Sequence, residues 1–143
     1  MLRQILAGLA AGVAFLVLDG VINANPLAQR AYAVYRPIAR SSVNAVAGSV
    51  VDLAYGLILV TLFVILRHCL PGGTSLAKAM WFAVIIWFLR VVMRVAGEWV
   101  MTTVPWSTHV YSLAAGLVQL LLVAGVIALL LPAQQATTQG ASG

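Results

Sequence analysis

The chain has 143 residues, of which 63% are hydrophobic and 8% charged, with a mean hydropathy of +1.05. Soluble domains carry about a quarter charged residues, so these values exclude a soluble globule and identify an integral membrane protein sized for one compact domain. The net charge is +5, but the basic residues are scattered and two lie inside apolar segments, which argues against a nucleic-acid surface and for anionic lipid headgroups as the counter-charge.

Met1 to Ala24 has the outline of a cleaved secretion signal, with Arg3, an apolar run and small residues near Asn23 and Ala24. Asp19 interrupts that run and Pro26 follows the plausible cut, so the segment reads as a first span. Four stretches qualify as spans, near residues 4–24, 44–66, 77–101 and 108–131. Each reaches about 20 residues, enough to cross ~30 Å of hydrocarbon at 1.5 Å per residue. The predicted fold is therefore all-α: a four-helix, up-down transmembrane bundle.

In the first span Gly8 and Gly12 form a GxxxG pair, the spacing that lets helix backbones approach closely. Residues 25–43, NPLAQRAYAVYRPIARSSV, form the one substantial connection. Asn25 followed by Pro26 is an N-cap and first-turn pair. Leu27, Ala31, Val34 and Ile38 share a face, so a short interfacial helix is expected, with Tyr32 and Tyr35 at headgroup depth. The second span places Gly48, Asp52, Tyr55 and Leu59 on one side. It ends in Arg67, His68 and Cys69, a basic interfacial end rather than a metal motif, since no second Cys or His lies near. The lone Cys69 excludes an internal disulfide. Pro71-Gly72-Gly73 predicts a tight turn, with Thr74 or Ser75 capping the third span. Pro105 and Trp106 make an aromatic interfacial link, and Pro132 opens a small polar tail, residues 132–143, too poor in apolar groups to order itself.

The third span contains the stretch Trp87 to Trp99, WFLRVVMRVAGEW. Its Arg90, Arg94 and Glu98 recur every four residues and form one polar stripe. An ionised group in hydrocarbon costs at least a few kcal/mol and must face protein, water or another charge. The two remaining acids, Asp19 and Asp52, also lie within spans. Counted from the end bearing the 25–43 connection at 1.5 Å per residue, Asp19 lies ~7 Å deep, Asp52 ~12 Å, Glu98 within ~5 Å, Arg94 ~10 Å and Arg90 ~16 Å. All five share one half of the bilayer. The expected pairs are Asp19 with Arg94 and Asp52 with Arg90, with Glu98 reaching Arg94 along the helix. Asn23, Asn44, Ser49, His109 and the deeper Gln119 are the polar side chains able to complete the cluster.

Buried ion pairs that fix helix neighbours are one reading of the cluster. A pocket in which two arginines hold an anionic or polar ligand is the other. There is no G-x-S-x-G, H-E-x-x-H, Walker or CxxC motif, so no catalytic residue, metal or cofactor is assigned. The leading expectation is a non-enzymatic membrane protein that binds a polar or anionic ligand or docks a partner, as a homo-oligomer or within a larger membrane complex. The alternatives are an oligomeric transporter or channel for a small solute or proton, and a membrane-embedded enzyme using Asp19, Asp52 or Glu98.

The four spans, the polar end of the first (LDGVINANP), the small-residue second span (AVAGSVVDLAYG) and the short turns together resemble the small four-helix inner-membrane proteins of bacteria. The resemblance implies the bundle fold and a location in the bacterial inner (cytoplasmic) membrane. It carries no active-site residue or substrate. Cytoplasmic termini are expected from the same resemblance, since the Lys/Arg distribution is nearly even between the two sides.

Overall fold

A computed structural model describes residues 1–39 and 44–132; Arg40 to Val43 and the polar tail from Ala133 onward lie outside the described residues. The helices are α1 (Leu2–Ala24), α2 (Pro26–Ala31), α3 (Ala45–Leu66), α4 (Ser75–Trp87), α5 (Met93–Met101) and α6 (Trp106–Leu130). A π-helical turn, Phe88–Val92, joins α4 to α5, so Ser75–Met101 is one continuous span. Four helices are long and apolar enough to cross a membrane, and no strand occurs among the described residues. The chain is a multi-pass, all-α membrane protein, with the short helix expected after the first span.

Local chemistry sets the helix ends. The Asn25 side chain accepts a hydrogen bond from Leu27 N at 2.9 Å and Pro26 opens α2, which satisfies an orphan donor where proline forfeits none. Of the two candidate caps at the start of the third span, Thr74 serves, accepting from Ala77 N at 3.1 Å. Asn44 caps α3 through Ala47 N at 3.0 Å. Gly72 turns the chain at φ 118°, a conformation that a side chain would strain. At the opposite membrane face, Arg3 Nε donates to Leu130 O at 2.9 Å and Ser75 Oγ to Leu131 O at 2.7 Å. Those two bonds satisfy carbonyls that the end of α6 leaves open, and they tie the N-terminal ends of α1 and α4 to it.

Neighbouring spans run antiparallel. α1 packs along α3 on one side and along α6 on the other, and α6 packs along the third span. The α1–α3 seam is built on glycine: a Cβ placed on Gly56 would lie 2.2 Å from Gly12 N, and one on Gly12 would lie 2.7 Å from Leu53 Cα. The backbones touch where the GxxxG pair predicts close approach. The core follows from these faces, with Ala7, Ala11 and Phe15 of α1, Leu59, Val60 and Phe63 of α3, Phe82 and Ala83 of α4, and Val123 and Ile127 of α6.

The ring of four spans is incompletely closed. α3 and the third span meet sparsely. Phe63 packs edge-on against Phe82 with centroids 5.5 Å apart, and nearer the other end the Arg90 guanidinium lies over the Tyr55 ring at 4.1 Å. Toward that end of the bundle, a Cβ at either Gly48 or Gly97 would meet none of the described residues within 4 Å.

The π-turn explains how the third span keeps its packing face. The small or aromatic residues Ala79, Ala83, Trp87, Val91 and Val95 recur every four residues. In an unbroken α-helix such a series drifts by about 40° per step. One extra residue in a turn rotates everything after it back by about 100°. Val91 and Val95 are thereby buried on the bundle side, while Arg90 and Arg94 stay accessible beside the packing seam.

Overpacking the glycine seam separates these effects. Gly56→Val is expected to destabilise the bundle by roughly 1–3 kcal/mol or more, read as thermal unfolding in detergent, whereas Gly48→Ala leaves the transition unchanged.

Candidate functional site

The end of the bundle that carries α2 is closed by the chain between the first two spans. After α2 the backbone continues as a 3-10 helix, Tyr32–Ile38, with Pro37 inside it. Ala28 is buried, while Leu27, Val34 and Ile38 remain exposed, as the shared face read from the sequence requires for a segment lying in the interface. Tyr32 and Tyr35 turn inward. The hydroxyls of Tyr32 and Ser112 lie 3.3 Å apart, Tyr35 donates its hydroxyl proton to Glu98 Oε1, and Thr108 Oγ1 donates to Ala31 O at 2.7 Å. Tyr111 adds a bond to Ile22 O at 3.3 Å and meets the Tyr32 ring edge-on at 5.6 Å. The arm is thus latched to α5 and α6 by neutral donors.

Beneath it lies a cavity of about 340 Å³, lined from α1 by Asp19 and Asn23, from the arm by Tyr32, from the third span by Arg90 and Arg94, and from α6 by Ser112 and Gln119, with Gly116 among its apolar walls. Asn23 lies one residue from the end of α1 and Gln119 thirteen from the start of α6. At 1.5 Å per residue the cavity therefore reaches from the interface to about 20 Å below it. Gly116 has a packing role as well: a Cβ there would lie 2.9 Å from a Val91 methyl, so its absence lets the third span seat against α6.

The acids find neutral donors. The buried Gln119 gives its Nε2 proton to Asp19 Oδ1 at 2.8 Å, and Glu98 accepts from Tyr35. Arg90 is placed between two aromatic faces, with its guanidinium 4.1 Å from the Tyr55 centroid and 5.6 Å from that of Phe15. Cation–π attraction strengthens as water is removed. Those two rings meet edge-on with centroids 5.1 Å apart, making a fixed wall. Asp52 is not part of the cavity lining, but it lies within electrostatic range of both Asp19 and Arg90. Depth along the spans predicts direct pairs of Asp19 with Arg94 and Asp52 with Arg90; the contacts observed are an amide on Asp19, a phenol on Glu98 and aromatic faces under Arg90.

Among the remaining polar side chains, Asn23 and Gln119 line the cavity. Asn23 also donates from Nδ2 to the Asp19 carbonyl at 2.9 Å. Asn44 and Ser49 are engaged within α3, as its cap and in a 2.9 Å bond to Ala45 O. His109 is 1% exposed beside Trp106, and neither ring nitrogen has a hydrogen-bond partner among the described residues. No group of three or more His, Cys, Asp or Glu residues able to hold a metal occurs among the described residues.

Sequence reasoning did not find Tyr32, Tyr55, Phe15 and Ser112 as parts of this site. Tyr55 and Ser112 do share stripes with Asp52 and Gln119, and that periodicity is the signal available in the sequence. Comparison of the chain with protein-family models, with curated proteins and with solved structures finds no match. The function is therefore argued from the site itself.

Burial, followed by the hydrogen bond to Glu98 and that carboxylate's charge, pushes the Tyr35 hydroxyl up to about 12 from its ordinary 10.0. A raised value means that the protonated phenol is the form the fold holds. Its contribution is complete below pH 10 and is lost as pH rises through about 12. A tyrosinate absorbance titration should show one phenol ionising near pH 12, and Glu98→Gln should lower that midpoint while leaving the part due to burial.

Proposed function

We propose that the protein binds a small ligand through an anionic group held by Arg90 and Arg94 in the membrane-embedded cavity, as a non-enzymatic component of a bacterial inner membrane. The observation that carries this reading is the lining itself, in which two accessible guanidiniums border about 340 Å³ of space together with amide and hydroxyl groups. A cavity of this size accommodates a small ligand or a headgroup. Guanidinium groups supply planar, charge-assisted hydrogen bonds suited to carboxylate or phosphate oxygens. Within a low-dielectric surrounding each such bond is worth more than in water.

The arrangement also supports binding over catalysis. Asp19, the one acid among the described residues of the lining, already accepts from Gln119, and Glu98, outside the lining, accepts from Tyr35. Both carboxylates thus already serve in contacts between elements, Asp19 between α1 and α6 and Glu98 between α5 and the arm.

Thermal stability of the detergent-solubilised protein tests the reading, with inorganic phosphate and acetate as probes and glycerol as a neutral control. Wild type should gain stability in a saturable manner with either anion. Arg94→Gln and Arg90→Gln should each weaken the response about tenfold or more, the loss expected for hydrogen bonds to a charged group. An anion response that survives both substitutions unchanged, or no saturable response in wild type, would overturn it.

A further inference from the structure

We infer that the ligand is an amphiphile that enters sideways from the bilayer between α3 and α5, and that its headgroup carries an ammonium next to a phosphate. This rests on the anion-binding reading above and adds the route and the chemical class. From the aqueous end the cavity lies under the Tyr32–Ser112 contact, with the Tyr111–Ile22 bond and the Thr108–Ala31 bond beside it. A small soluble anion can enter past that latch, whereas an amphiphile with its acyl chains cannot. On the membrane side α1, α6 and the third span surround the cavity, but the fourth wall is incomplete, because α3 packs along α1 and barely touches the third span.

Phe63 meets Phe82 and Tyr55 meets Arg90, so that stripe of α3 faces the third span. Gly48 and Asp52 continue the same stripe toward the headgroups. On the other side, the turn after Arg90 and Arg94 brings Gly97. A Cβ at Gly48 or Gly97 would meet none of the described residues within 4 Å. The gap is therefore bordered by two residues without side chains at interfacial depth and floored by the Arg90–Tyr55 contact. An acyl chain can remain in the bilayer while its headgroup moves between the helices.

The lining itself holds two guanidiniums and one carboxylate, which suits a monoanionic phosphodiester. At the gap stands a second acid, Asp52, half-buried and in electrostatic range of Arg90. An anion with no cation beside it would pass this acid unfavourably. A phosphate on the arginines with an ammonium toward Asp52 satisfies both signs, as charge complementarity requires.

The experiment is native mass spectrometry of the detergent-solubilised protein titrated with dioleoyl phosphatidylethanolamine, dioleoyl phosphatidylglycerol and inorganic phosphate. Phosphatidylethanolamine should bind wild type on the order of tenfold tighter than phosphatidylglycerol, and Asp52→Asn should bring the two together. Arg94→Gln should weaken both. Gly48→Leu, placed in open space so that the fold is kept, should weaken lipid binding and spare phosphate binding. Equal or tighter binding of phosphatidylglycerol by wild type would overturn the headgroup assignment. Phosphate binding that depends on Arg94, with no lipid binding, would overturn the amphiphile and leave the anion site standing. Loss of phosphate binding in Gly48→Leu would overturn the lateral route. Binding of neither lipid nor phosphate would remove the anion site as well.

Discussion

Charge in hydrocarbon has to be met by protein, and the polar half of this bundle is arranged around that requirement. Isolated ions at this depth cost several kcal/mol, yet ion pairing also carries a desolvation penalty that its attraction only partly offsets. The structure uses a third solution. Asp19 is met by the amide of Gln119, Glu98 by the phenol of Tyr35, and Arg90 by the faces of Tyr55 and Phe15. Each of these partners is neutral, and the aromatic faces under Arg90 leave its guanidinium with hydrogen-bonding capacity for an anion. The same contacts bring α1 to α6, the arm to α5, and α3 to the third span, so satisfying the charges also sets the helix neighbours.

Much of the fold is legible in the sequence because its determinants are local. Span length, the Asn25-Pro26 cap, the Thr74 cap and the glycine turn at Gly72 depend on a few adjacent residues. The close approach of α1 and α3 is also readable, since only glycine at Gly12 and Gly56 leaves room for it. Depth counting is useful for the same reason: rise per residue is a constant of the α-helix, and Asp19, Arg90 and Arg94 do border one cavity.

The limits of that reading are equally specific. Depth identifies which residues share a level but not which way they point around the helix axis. That choice is made by the π-turn at Phe88–Val92, whose trace in the sequence is a core series spaced by four throughout. Tyr32 and Tyr35 have the composition of headgroup anchors, and their inward turn depends on Ser112 and Glu98, residues far along the chain. Asn44 and Ser49 share the level of the cluster, but bonds within α3 occupy them. Residue type and depth could not distinguish those outcomes, because hydrogen-bond competition is decided by tertiary neighbours.

The glycine seam has a mechanical consequence. α3 is held along one edge by α1, through backbone contacts that need no interlocking side chains at Gly12 and Gly56. Its opposite edge touches the third span mainly at two aromatic points. Helix α3 therefore has one firmly seated edge and one lightly held edge, and the looser side-chain packing of the bundle falls on that single panel.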